Sequence, residues 1–95
     1  MRDDKKIFML GERRYVSLDI WLESGMSFTP VNPTWTLRAP DGTEGDPAAA
    51  GAVQTAQGWT LSALVEPTSR GDWLLTFAFD LGDEHVKRPV RIKVV

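Results

Sequence analysis

The chain has 95 residues, 42% of them hydrophobic and 25% charged, with a net charge of −2 and no cysteine. A chain this short buries only about 60–65% of its unfolded surface, which fits one domain with a thin core. The composition excludes a disordered chain, the slight acidic excess argues against a nucleic-acid binder, and the lack of cysteine excludes disulfides and thiolate chemistry.

The first fourteen residues, MRDDKKIFMLGERR, carry charges of both signs around an apolar run of four. That pattern fits neither a signal peptide nor a membrane span, and a small exported domain often needs disulfides. The expectation is a cytoplasmic protein with no membrane partner. KKIFML is rich in strand formers, and Gly11-Glu12 is short enough to turn it into the next run as a hairpin. In RYVSLDIWLE, Val16, Leu18, Ile20 and Leu22 alternate with Tyr15, Ser17, Asp19, Trp21 and Glu23, the period-two pattern of a half-buried strand. SGMSFTPVNP, with Gly25, Pro30 and Pro33, reads as a loop, and TWTLR resumes alternation at Trp35 and Leu37.

Turn residues punctuate the next stretch at Pro40-Asp41-Gly42 and Gly45-Asp46-Pro47; Ala48 to Ala50 fits either a helical turn or a weak edge strand. WTLSALVE places Trp59, Leu61, Ala63 and Val65 on one face and Thr60, Ser62, Leu64 and Glu66 on the other. DWLLTFAFD groups Trp73, Leu75, Phe77 and Phe79, and Gly82-Asp83 is a two-residue hairpin signal. EHVKRPVRIKVV turns Val86, Val90, Ile92 and Val94 inward. Arg88 breaks that face, and Pro89 implies a bulge or an edge position. The last strand reaches Val95, leaving no room for a linker within the chain.

Six or seven short strands and no amphipathic helix predict an all-β antiparallel sandwich or barrel over residues 1–95. The order of residues resembles the immunoglobulin-like sandwich family, in which a Trp sits on the third strand and an aromatic corner precedes the sixth. Trp35 holds the first place, and in RGDWLL the residues Gly71, Trp73 and Leu75 stand where that family has Gly-x-Tyr-x-Cys. Trp replaces Tyr at the corner, so the phenolic hydrogen bond is lost, although an indole N–H can substitute, and Leu18 or Ile20 facing Leu75 takes the place of the paired cysteines. The resemblance implies a single immunoglobulin-like domain of about seven strands. Its expected core is Val16, Leu18, Ile20, Trp35, Leu37, Leu61, Leu75, Phe77, Val90 and Ile92. GDWLLTFAFDLGDEHVKRPVRIKV with PTWTLRAPDG upstream also resembles small stand-alone structural proteins of bacteriophages and prophages. That resemblance implies a tail, baseplate or capsid-accessory setting and a virion-associated location.

The chemistry-bearing motifs are sparse. Arg70-Gly71-Asp72 matches an integrin-binding tripeptide, but it lies just before a strand, where Gly71 serves a bend. DLGDEH gathers Asp80, Asp83, Glu84 and His85, yet neighbours on a strand diverge, so it reads as a solvated hairpin tip and not a metal site. Asp41 to Asp46 faintly resembles a calcium loop but lacks its spacing of oxygen ligands. The chain has a single histidine and neither a phosphate loop nor a dinucleotide fingerprint. The reading is therefore a non-enzyme without cofactors. The outward residues Tyr15, Trp21 and Leu64 are candidate anchors for a protein partner or for self-association. An alternative is carbohydrate or cell-surface polymer binding, with a sugar stacked on Trp21 or Trp59. Lys87, Arg91 and Lys93 line one face of the last strand, where charge discourages edge-to-edge aggregation.

Overall fold

The computed structural model describes residues 6–95, so Lys5 of the expected first strand lies outside the described residues. Eight strands occupy them, with no helix: β1 Lys6–Phe8, β2 Arg14–Ile20, β3 Val31–Arg38, β4 Ala48–Ala49, β5 Gly51–Gln54, β6 Trp59–Val65, β7 Gly71–Leu81 and β8 Glu84–Val94. They form a five-stranded sheet in the order β1-β8-β7-β3-β4 and a three-stranded sheet in the order β2-β6-β5. The two sheets share one apolar core, built from alternate residues of β2 and β6 on one side and of β7 and β8 on the other.

Period-two alternation sets most of this architecture. Burial alternates along β7, with Trp73, Leu75, Phe77 and Phe79 inside, and the same holds for Leu61, Ala63 and Val65 on β6. β7 and β8 pair over all eleven residues without a break, from Gly71↔Val94 to Leu81↔Glu84, around the expected Gly82-Asp83 turn, where Gly82 has φ 57°. Pro89 pairs with Thr76 within that unbroken register, so it marks an edge position and not a bulge. A register irregularity does occur between Val31 and Thr34 on β3, where Asn32 has φ 51°. Val31 to Pro33, read as the end of a loop, therefore already belong to an irregular strand, while residues 24–30 form the expected loop.

Two expectations are revised and one open alternative is decided. Gly11-Glu12 does turn the chain, with the Glu12 amide donating to the Met9 carbonyl at 3.1 Å, but no hairpin results. β1 instead joins the other sheet, parallel to β8 through Lys6↔Ile92, Ile7↔Lys93 and Phe8↔Val94. Burial explains the choice, because this pairing puts Phe8 into the core at 1% exposure, and the Arg14 guanidinium covers its ring at 4.6 Å. Secondly, Ala48 to Gln54 resolves into two edge strands. β4 pairs with β3 and β5 with β6, so the chain changes sheet at Ala50, whose amide donates to the Pro33 carbonyl at 2.9 Å. Thirdly, Leu18, Trp35 and Leu37 of the expected core are only half-buried, packed against the cluster from its margins. Three strands cannot cover five, and Leu18 lines a groove left between the sheets.

At the corner before β7, the Trp73 indole N–H donates to the Ser69 carbonyl at 2.9 Å, the substitution expected for a missing phenol. Gly71 adopts φ 124°, and a Cβ there would sit 2.8 Å from Cγ of Pro40. The tripeptide Arg70-Gly71-Asp72 thus enters a paired strand at Gly71↔Val94 and does not crown a projecting loop.

Candidate contact surface

The outer face of the three-stranded sheet carries the residues that alternation points away from the core. β2 and β6 pair over seven residues, which puts Tyr15 directly opposite Leu64, Ser17 opposite Ser62 and Asp19 opposite Thr60. Tyr15 is 71% exposed and Leu64 40%, so this pair is an apolar contact open to solvent. Cross-strand neighbours of this kind lie about 5 Å apart at Cβ, close enough to act as one anchor. The middle of the face is polar: the Thr60 hydroxyl donates to Asp19 Oδ1 at 2.6 Å.

Trp21 lies one residue beyond β2, 60% exposed, at the opposite end of the face. Six residues of strand put it roughly 20 Å from Tyr15. The structure therefore joins Tyr15 to Leu64 and separates both from Trp21. Beside Trp21 lies a shallow depression of about 310 Å³ lined by Asp19 and by Thr55 to Gly58. The other candidate for stacking, Trp59, is half-buried, and its indole N–H donates to the Phe28 carbonyl at 2.6 Å. That bond and its packing against the core remove it as a sugar platform.

A second feature left almost no signal in the sequence. Between the outer edge of β2 and the first half of β8 the sandwich is open, leaving a groove of about 280 Å³. Leu18, Ile20, Phe28, Phe79 and Val86 line it, with Arg88 and Glu84 at its mouth. The one sequence signal for it was Arg88, a cation where alternation called for an apolar residue.

The acidic motifs are occupied by local structure. Asp41 Oδ1 accepts the Thr43 amide at 2.9 Å, and this bond to the charged form holds the Asp41 carboxyl below its ordinary value. The backbones of Arg38 and Glu44 form an isolated antiparallel β-bridge across the same turn. At the other hairpin, His85 Nδ1 meets Asp80 Oδ1 at 2.7 Å across the strand pair. Among the described residues, no group of three or more His, Cys, Asp or Glu side chains is placed to hold a metal ion. No family model, curated protein or solved structure matches the chain.

Proposed function

We propose that the protein is an immunoglobulin-like module that works by protein contact and not by catalysis, using the outer face of its three-stranded sheet. The observation that carries this reading is the exposed Tyr15–Leu64 pair, formed by register and left uncovered. Aromatic side chains with apolar neighbours are the common anchors of protein interfaces. The finer fold assignment draws support from strand order. With β1 in the larger sheet and the two-residue β4 set aside, β2, β5 and β6 stand against β3, β7 and β8 as the second, fourth and fifth strands stand against the third, sixth and seventh in that family. The Trp73–Ser69 corner bond supports it as well. A bacteriophage or prophage virion, in a tail, baseplate or capsid-accessory role, is the setting we propose, and it rests on the sequence resemblance.

A photo-crosslinking residue placed at position 15 or 64 tests the contact reading in the producing cell. Adducts are expected at both positions and not at Thr36, on the outer face of the other sheet. If neither position yields an adduct of any mass, the reading fails. Detection of the protein in purified particles from an induced lysogen tests the virion setting.

A second reading, binding of a carbohydrate or cell-surface polymer, is favoured by one observation: Trp21 stands exposed beside a depression carrying Thr55 and Gln57. Glycan-array binding that disappears in Trp21→Ala is its expected result, and a silent array counts against it.

A further inference from the structure

A strand at a sheet edge offers a row of unpaired N–H and C=O groups to any second strand. Most edges of this fold are blunted. β1 has three residues and β4 two, while β5 has four and begins with a glycine. On β8, the stretch before Ile92 has no neighbour beyond β7 among the described residues, but it is guarded. Pro89 supplies no N–H, and Arg88 Nη1 donates to the Lys87 carbonyl at 2.9 Å. β2 differs. It runs for seven residues without proline, glycine or bulge, in continuous register with β6, and among the described residues nothing pairs with its other edge. That edge borders the groove in which Leu18, alone among the three inward apolar residues of β2, stays partly exposed.

We infer that a second copy of this chain occupies the edge, its β2 antiparallel to this one about a two-fold axis at Leu18. Two three-stranded sheets then become one sheet of six. The inference rests on the contact-module reading above and names its partner. Antiparallel partners share a face, so a two-fold pairing must centre on a residue and couple positions of equal parity. Centring on Asp19 would set two carboxylates opposite each other. Centring on Leu18 sets Asp19 against Ser17 of the second copy, Val16 against Ile20, and Glu23 near Arg13. Each charge meets a neutral or opposite partner, and the pairing occurs twice by symmetry. The same register places Tyr15 against Trp21 of the second copy. Leu64, Tyr15 and that Trp21 then form one apolar row, so Trp21, which lies apart from the other two anchors in a single chain, meets them in the pair.

The chain has no cysteine, so an engineered disulfide reports register without ambiguity. Sedimentation of the unmodified protein at micromolar concentration is expected to give the mass of two chains. Tyr15→Cys mixed with Trp21→Cys is expected to cross-link, while neither variant cross-links alone. Glu23→Arg is expected to weaken the pair about tenfold, since two surface ion pairs become two like-charge contacts. Adding Arg13→Glu to it restores the affinity. A monomeric mass, self-linking of Ser17→Cys, or failure of the charge swap to restore pairing overturns the inference. A photo-adduct at position 15 of some other mass, from a chain that sediments as a monomer, overturns it too while leaving the contact reading intact. Absence of any adduct at positions 15 and 64 sinks the contact reading itself.

Discussion

Trp73 buries its ring in the core while its indole N–H reaches back four residues to the Ser69 carbonyl. Replacing it with Phe keeps an aromatic ring and removes the donor, leaving that carbonyl without its partner. The expected cost of Trp73→Phe is about 1–2 kcal/mol, typical for a hydrogen bond lost at a partly buried site. It should appear as a lower urea midpoint at unchanged slope. Asp41 gives a second test at this scale. Its folded value lies below the ordinary 3.8 because the ionised carboxylate accepts the Thr43 amide. The stabilisation is therefore fully present above that ordinary value and is lost as pH falls through the lowered folded value. A carboxyl titration followed by NMR should place the Asp41 midpoint below 3.8 in the folded protein. In the Thr43→Pro variant, which lacks the amide, the midpoint should return toward the ordinary value. A midpoint that stays put would mean another group sets it.

Among the elements, what the sequence made legible was whatever alternation encodes locally. β2, β6, β7 and β8 follow from their period of two, and the β7–β8 hairpin from Gly82-Asp83. Partner choice is another matter. The turn at Met9–Glu12 has hairpin chemistry, yet β1 pairs with β8 because Phe8 gains a buried site there, a long-range term absent from any local pattern. Ala48 to Ala52 contains only alanine and glycine, so it has no period to read, and that same smallness lets the chain change sheets at Ala50. The Tyr15–Leu64 pair was half legible: alternation gave the outward faces, and only the β2–β6 register showed that they touch. The groove, lying between elements, was signalled by Arg88 alone. The guarded edge of β8 yields a prediction at this scale. Pro89→Val restores an N–H pointing away from β7, and combined with Arg88→Ala it also frees the Lys87 carbonyl. Light scattering should show concentration-dependent aggregation of the double variant that the unmodified protein lacks. Unchanged scattering would mean that this edge needs no guard.

At the scale of the whole molecule, β7 and β8 form the spine. Eleven extended residues span roughly 36 Å, close to the 40 Å long axis of the particle. Phe77 sits midway along that spine with no exposure, facing the three-stranded sheet. Phe77→Ala is expected to cost about 3–5 kcal/mol, a large fraction of the stability of a small domain, and to lower its urea midpoint accordingly. Because one cluster joins both sheets, circular dichroism and the fluorescence of Trp35, Trp59 and Trp73 should report a single coincident transition in the unmodified protein. Separate transitions would mean that the sheets melt independently. The parallel seam between β1 and β8 has a mechanical consequence. Tension applied at Lys6 and at Val95 would pull the two strands in opposite directions along their shared axis. The bonds of that seam, including Val95 to Phe8 and Leu10 to Val95, would be loaded together in shear instead of opening one at a time. A short strand that adds little area to its sheet would thus act as the latch that must yield before a stretched molecule can unravel.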